Sequence, residues 1–174
     1  HQAMGYGSQA NGNYNIGIGY KALYGSNGNS SAANYNVAIG YEALEANTTG
    51  DNNVAVGTQA LEANTTGTRN LAIGYRALDA ADTENDNIAI GYDALGGSVA
   101  GGEYNVSIGN YSLDALTSAD YNVAIGHNAG TLIQDGGSNV VIGAEAAGNG
   151  DIGANNVLVG MQSGYGSTDA TQSV

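Results

Sequence analysis

Residues 45–78 read EANTTGDNNVAVGTQALEANTTGTRNLAIGYRAL, and the two segments 45–61 and 62–78 repeat one pattern. Each copy contains a polar loop, an Asn, a short apolar run that ends in Gly, and a segment of the type Tyr-x-Ala-Leu. The glycines that end the apolar run recur along the chain at a nearly constant interval. They are Gly5, Gly19, Gly40, Gly57, Gly74, Gly91, Gly109, Gly126, Gly143 and Gly160. Ten units therefore cover residues 1–174, which predicts a single repeat domain without separate caps.

The apolar run before each Gly alternates in side-chain size. A branched aliphatic residue stands three before the Gly, a small residue, usually Ala, two before it, and Ile or Val one before it, as in Val54, Ala55 and Val56. This alternation predicts a short strand whose two large residues face the core and whose Ala faces outward. The Gly marks a bend that a Cβ would hinder. The following Tyr-x-Ala-Leu segment, as at 75–78, predicts a second short strand that is partly exposed.

Two short strands and two turns in so short a unit are typical of one coil of a β-solenoid. Stacked coils lie about 4.8 Å apart, so about ten coils would form an all-β rod roughly 48 Å long. One coil cannot bury its own apolar face, but a stack of similar coils can. An Asn precedes nearly every apolar run, and we expect these side chains to form a ladder of amide hydrogen bonds between coils. The ladder asparagines are Asn15, Asn36, Asn53, Asn70, Asn87, Asn105, Asn122, Asn139 and Asn156.

The run of Asn, three alternating residues and Gly has a counterpart in a known family. As NVAIG (36–40 and 122–126), NLAIG (70–74), NIAIG (87–91) and NVSIG (105–109) it resembles the head repeat of trimeric autotransporter adhesins, and it is similar to repeats of phage tail fibres. The resemblance implies a left-handed parallel β-roll that assembles as a trimer. It also implies an extracellular location or a place on a cell or virion surface.

The charge and composition of the chain disfavour nucleic-acid binding, membrane insertion and cysteine chemistry. Its 16 Asp and Glu against three Lys and Arg give a net charge of −13. Nucleic acid is therefore not an expected partner, because phosphate binding needs clustered Lys and Arg. The sequence has no apolar stretch long enough for membrane insertion. It contains no Cys, so neither disulfides nor thiolate metal sites are expected.

The two EANTTG loops contain candidate glycosylation sites. Asn47 and Asn64 are each followed by Thr-Thr, which matches the N-glycosylation acceptor pattern. The alternative is a polar turn in which Asn and Thr bond to their own backbone. The Thr-rich and Ser-rich loops could carry O-linked sugar instead.

Tyrosines recur at two positions of the unit. One group follows the bend and comprises Tyr6, Tyr20, Tyr41, Tyr75 and Tyr92. The other precedes the ladder Asn and comprises Tyr14, Tyr35, Tyr104 and Tyr121. Stacked Tyr rings could bind sugar rings or partner proteins, but packing along the solenoid or in a subunit interface is the favoured interpretation.

Acidic loops at 82–87 and 148–156 could hold Ca²⁺ through carboxylates and carbonyls. The calcium-binding nonapeptide does not recur, so we predict neither a metal site nor a cofactor.

The sequence contains little that suggests catalysis. His1 and His127 are the only histidines and lie many coils apart, which disfavours a His-based triad. A pair of carboxylates could cleave polysaccharide, and the loose candidates are Glu42, Glu45, Glu62 and Asp93. A solvated acidic face is the favoured interpretation, and we predict no catalytic residues and no enzyme.

Two functions remain. The first is a structural subunit of an extracellular fibre, with solenoids stacked head to tail. The sequence GYGS occurs at both 5–8 and 164–167, and a following copy would place its Gly5 close to one period after Gly160. The alternative is the trimeric adhesive head of a bacterial surface adhesin or phage tail fibre that binds a host glycan or matrix protein. The outward Ala, which becomes Val141 and Leu158 in the last coils, would then pack one roll against another.

Overall fold

The computed structural model describes residues 14–27, 32–97 and 102–167. Nine strands of three residues each form one parallel sheet in chain order. They are β1 (Ile16–Ile18), β2 (Val37–Ile39), β3 (Val54–Val56), β4 (Leu71–Ile73), β5 (Ile88–Ile90), β6 (Val106–Ile108), β7 (Val123–Ile125), β8 (Val140–Ile142) and β9 (Val157–Val159). The predicted all-β solenoid is confirmed, and the first predicted unit, with Gly5, lies outside the described residues.

One short 3₁₀ turn, Tyr24–Asn27, follows β1. Over the three described ranges, no helix has the length and apolar character that a membrane span requires.

Every strand pairs with the next in the same register. Between β3 and β4, for example, Ala55 lies opposite Ala72. The hydrogen-bonded ladder asparagines of neighbouring coils lie 17 residues apart at most steps. The longer intervals, from β1 to β2 and from β5 to β6, keep the register as well, because their extra residues are taken up in the loops. Each position of the repeat therefore lies directly above the same position of the previous coil, and side chains form columns along the rod.

The strands face the opposite way from the prediction. The central residue of every strand from β2 to β9 points inward, and Ala38, Ala55 and Ala72 are completely buried. The flanking Val and Ile are half-buried or exposed, with Ile73 38% exposed. The prediction that these large residues form the core is therefore wrong. The core is instead a column of strand alanines together with the Leu of the segment after the bend, such as Leu61 and Leu78.

The sizes of two inward positions explain why Ala faces inward. The buried Leu of the segment after the bend fills the narrow interior, which leaves room for one methyl group at the strand position. In the last coils the two sizes are exchanged: Val141 is followed by Ala147, and Leu158 by Gly164. A Cβ on Gly164 would lie 2.6 Å from Cδ1 of Leu158, so the two positions share one volume. Val141 and Leu158 are therefore part of the core packing and not of a second outer face.

The segment after the bend is a turn and not the predicted second strand. In this segment Arg76 and Leu78 have left-handed φ values of 51° and 53°. A strand would send neighbouring side chains to opposite faces, but here Ala77 and Leu78 are both completely buried. The left-handed residues turn both side chains inward, and hydrogen bonds between coils hold the turn, such as the 3.0 Å bond from the Leu78 N–H to the Ala94 carbonyl.

The bend after each strand requires glycine for two reasons. The described bend glycines have φ values from 127° to 145°, which L-residues avoid. They are Gly19, Gly40, Gly57, Gly74, Gly91, Gly109, Gly126, Gly143 and Gly160. In addition, a Cβ at Gly74 would lie 2.2 Å from the carbonyl oxygen of Gly91 in the next coil. Coil stacking therefore excludes a side chain as strictly as the backbone conformation does.

Candidate functional site

The asparagines before the strands join successive coils through their side chains. The Oδ1 atom of Asn70 accepts the backbone N–H of Asn87 at 3.0 Å, and its Nδ2 atom donates to the Glu84 carbonyl at 2.7 Å. The same Oδ1 contact to the next N–H occurs at every step from Asn15 to Asn156, at 2.8 to 3.0 Å. From Asn36 onward these side chains are at most 1% exposed. The column is thus an internal structural element and offers no surface to a ligand.

The asparagines of the two EANTTG loops form a second internal column. Asn47 and Asn64 are completely buried. The Nδ2 and Oδ1 atoms of Asn47 bond to the carbonyl and N–H of Gly50, both at 3.0 Å, and Nδ2 of Asn64 donates to Oδ1 of Asn47 at 3.2 Å. The corresponding residues of later coils, Leu116 and Ile133, are apolar and buried too.

This geometry opposes N-glycosylation at Asn47 and Asn64. An N-linked sugar is attached to Nδ2, and in both residues that atom points into the solenoid. Other coils have an apolar residue at the same position, which is a sequence signal for an interior side chain. The match of Asn47 and Asn64 to the glycosylation pattern led to the opposite expectation. The hydroxyl-bearing residues beside them, Thr48, Thr49 and Thr66, are exposed.

The outward face of the sheet is an apolar surface, which we call the outer band. It consists of the two outward side chains of every strand and the Tyr columns on either side. Rings stack between coils at short centroid distances, as in Tyr75 on Tyr92 (5.0 Å) and Tyr104 on Tyr121 (5.0 Å). Tyr6 lies outside the described residues. A strip of half-buried and exposed aliphatic and aromatic side chains is the kind of surface that contacts another macromolecule.

Carboxylates collect in an open groove, which we call the acidic groove. Glu45, Glu62 and Asp79 line it and occupy the same repeat position in three successive coils. Glu42 adjoins them, and carboxylate oxygens of Glu42, Glu45 and Glu62 all lie within 4.8 Å of one another. The structure thus brings together three of the four loosely predicted acids.

Two basic residues compensate part of this negative charge. Lys21 Nζ lies 2.7 Å from Glu45 and 3.2 Å from Glu42, and these hydrogen bonds raise the pKa of Lys21. Arg76 Nε lies 2.6 Å from Oδ2 of Asp79. Burial nevertheless raises the pKa of Asp79. Burial, together with the charges of the neighbouring carboxylates, also raises the pKa of Glu62.

The remaining predicted groups are dispersed or already engaged. Asp93 lies 3.9 Å from Arg76, outside the three-carboxylate cluster. His127 has the edge-on ring of Tyr111 as its neighbour at 6.3 Å, and His1 lies outside the described residues.

The acidic loops at 82–87 and 148–156 do not converge on a common point. In the first, Glu84 accepts the N–H groups of Asp82 and Thr83, and Asp86 pairs with Arg69 at 2.6 Å. In the second, Asp151 is the single acidic residue.

Comparison of the chain with protein-family models, with curated proteins and with solved structures finds no match. Any assignment of function therefore depends on the pattern of the repeat and on the geometry described above.

Proposed function

We propose that this chain is a structural subunit of an extracellular fibre, in which β-solenoids stack head to tail. The observation that carries the proposal is the unbroken sheet of nine strands in one register. At each step, backbone hydrogen bonds, the Asn ladder and the glycine bend repeat with the same geometry. A rod built in this way resists bending and extension, which is what a fibre subunit has to do.

The last described coil can accept another coil through the same contacts. Within the described residues β9 pairs only with β8. A Cβ at Gly143 would meet the Gly160 carbonyl at 2.4 Å, whereas a Cβ at Gly160 would have nothing within 4 Å. A second copy stacked there would form a heterologous contact, and such contacts generate fibres.

Electron microscopy of the purified chain, together with one variant, tests the proposal. Wild type should form filaments with an axial repeat of about 48 Å, corresponding to ten coils. Gly160→Ala should shorten or abolish them, because its methyl group would occupy the position of the next carbonyl. Thr66→Ala alters an exposed side chain away from the last described coil. It is the control and should leave filaments intact. Discrete particles from wild type, or equal filaments from Gly160→Ala, would reject head-to-tail stacking.

The outer band favours a second candidate, the trimeric adhesive head of a surface adhesin or phage tail fibre. The outward aliphatic residues are the surface through which side-by-side rolls would pack, and the resemblance of the NVAIG-type repeat to adhesin heads points to the same left-handed roll. The exposed Tyr columns would then be available to a host glycan or matrix protein, because aromatic faces suit such contacts.

The mass in solution separates the two candidates. A trimeric head should sediment as a particle of three 17.4 kDa chains. Ile73→Glu, placed in the middle of the outer band, should convert it to monomers that keep their circular dichroism spectrum. Thr66→Glu adds the same charge at an exposed position outside the outer band and serves as the control. A monomeric wild type at high concentration would eliminate the trimer.

A further inference from the structure

Three carboxylates at the acidic groove are spaced closely enough to bind one metal ion. Carboxylate oxygens of Glu42, Glu45 and Glu62 all lie within 4.8 Å of one another. Calcium binds oxygen ligands at about 2.4 Å, so two ligands on opposite sides of one ion are about 4.8 Å apart. A single ion can therefore contact all three carboxylates after small rotations of their side chains.

Asp79 gives a second and independent indication. It lines the same groove, one coil beyond Glu62, and is 8% exposed. Its Oδ2 atom accepts the hydrogen bond from Arg76, but its Oδ1 atom is buried and has no hydrogen-bond partner among the described residues. A buried carboxylate oxygen without a donor is unfavourable, and a cation in the groove would offset this cost by electrostatic attraction.

Negative charges outnumber positive charges in the groove by two. Glu42, Glu45, Glu62 and Asp79 carry four negative charges, against one each on Lys21 and Arg76. Within the described residues the carboxylate of Glu62 forms neither a hydrogen bond nor an ion pair, although its backbone carbonyl accepts the Ala46 N–H. It stands between Glu45 and Asp79 in the column, so it is the carboxylate that most needs a counter-ion.

We propose that the acidic groove binds one divalent cation, and that Glu42, Glu45 and Glu62 are its ligands. The ion that fits is Ca²⁺, because it accepts irregular sets of six to eight oxygens, whereas Mg²⁺ requires a regular octahedron and gives up water reluctantly. The groove is open, so water completes the coordination. An affinity on the order of 10⁻⁴ to 10⁻³ M is expected, in the range of extracellular calcium modules.

Lys21 competes with the ion for two of the three ligands. Its Nζ atom lies 2.7 Å from Glu45 and 3.2 Å from Glu42. When the ion binds, the flexible Lys side chain moves into solvent. Removing this ammonium group should therefore strengthen calcium binding, an effect that a purely structural role for Lys21 would not produce.

Calorimetric titration of the full chain with CaCl₂ at low ionic strength tests the site with three variants. Wild type should bind one Ca²⁺, Glu62→Gln should bind at least tenfold more weakly, and Lys21→Met should bind several-fold more tightly. The matched control is Glu145→Gln. Glu145 holds the same repeat position as Glu42 and bonds to Gln162 at 2.7 Å, outside the cluster.

Thermal unfolding checks that the variants fold. It also provides a second test, because the effect of Glu62→Gln on the unfolding temperature should reverse when calcium is added. Without calcium, Glu62→Gln should unfold at a higher temperature than wild type, because it removes one of several adjacent like charges. With 10 mM CaCl₂, wild type should gain stability and Glu62→Gln should not.

Three results would overturn the proposal. The first is the absence of saturable binding up to 10 mM Ca²⁺. The second is equal weakening of calcium binding by Glu62→Gln and Glu145→Gln, which would indicate a diffuse counter-ion atmosphere. The third is weaker calcium binding by Lys21→Met than by wild type. None of them bears on whether the chain forms fibres, because the groove lies outside both the outer band and the coil edge at Gly160.

Discussion

The contribution of coil stacking to the glycine requirement can be measured by adding the same methyl group at two bend glycines, one covered by a following coil and one not. Gly74→Ala and Gly160→Ala place the same methyl group on almost the same backbone, with φ values of 138° and 127°. At Gly74 the new Cβ would lie 2.2 Å from the Gly91 carbonyl oxygen, whereas at Gly160 it would contact nothing within 4 Å. The pair therefore separates backbone strain from the steric consequence of stacking.

The two variants should differ by several kcal/mol. A non-glycine residue at such a φ costs about 1–3 kcal/mol, and both variants carry this term. Relieving the contact at Gly74 requires the coils to separate by about 1 Å, since a Cβ rarely lies closer than about 3 Å to a carbonyl oxygen. This would stretch the 2.9 Å bond from the Gly91 N–H to the Ile73 carbonyl and the 3.0 Å bond from the Asp93 N–H to the Tyr75 carbonyl beyond hydrogen-bond length. Two lost hydrogen bonds at about 1 kcal/mol each, together with lost packing, give Gly74→Ala an excess of about 2–4 kcal/mol.

Urea unfolding followed by circular dichroism provides the measurement, at protein concentrations low enough to prevent filament formation. Coils of a solenoid can unfold in parts, so the variants should be compared over the complete unfolding transition. The dependence of the unfolding free energy on urea concentration should also be the same in both variants and in wild type. Equal destabilisation by the two substitutions would show that the close approach of successive bends does not restrict the side chain. The reasoning about coil stacking would then be refuted.

Asn70→Ala removes the side-chain hydrogen bonds to the buried N–H of Asn87 and to the Glu84 carbonyl. It should lower the free energy of unfolding by about 2–5 kcal/mol, against less than about 0.5 kcal/mol for the exposed Thr66→Ala, and similar losses would argue against the ladder. The pKa of Asp79 is raised in the folded state, so that state binds the proton more tightly, and stability should rise as the pH falls from 7 through the folded pKa towards about 4. Below that pH the lowered pKa of Asp86 acts in the opposite direction, since its stabilising charge is lost on protonation. Urea midpoints between pH 7 and 3 should therefore pass through a maximum, and Asp79→Asn should make the rise between pH 7 and about 4 smaller. Peptide mass spectrometry of native material should find Asn47 without sugar, and a glycan there would contradict its position inside the solenoid.

Much of the fold could be predicted because the controlling interactions repeat. The bend glycine is required wherever one coil stacks on another, and the ladder Asn wherever a coil turns into a strand, so both recur with the period and are visible in the sequence. Parallel pairing in one register follows from the same periodicity, because only that arrangement places Asn70 on Asn87 and Gly74 on Gly91.

The sequence did not predict the acidic groove or the interior place of Asn47. Glu42 and Glu62 belong to successive coils and to different positions of the repeat, and only the stacking of the turns brings their oxygens close together. The acceptor pattern at Asn47 describes three residues in chain order and contains no information on burial.

The sequence alone determined the period, the strand positions, the bends and the column of ladder asparagines, because each depends on contacts between identical positions in adjacent coils. Only the tertiary structure decided which face of the strand is inside. An alternation of large and small side chains distinguishes two faces but does not say which is buried. That choice depends on the width of the coil, where one Leu such as Leu78 fills the interior and leaves space for the methyl group of Ala72. The Val and Ile residues are consequently directed outward, and the apolar face that the alternation assigned to the core became the surface available to a partner.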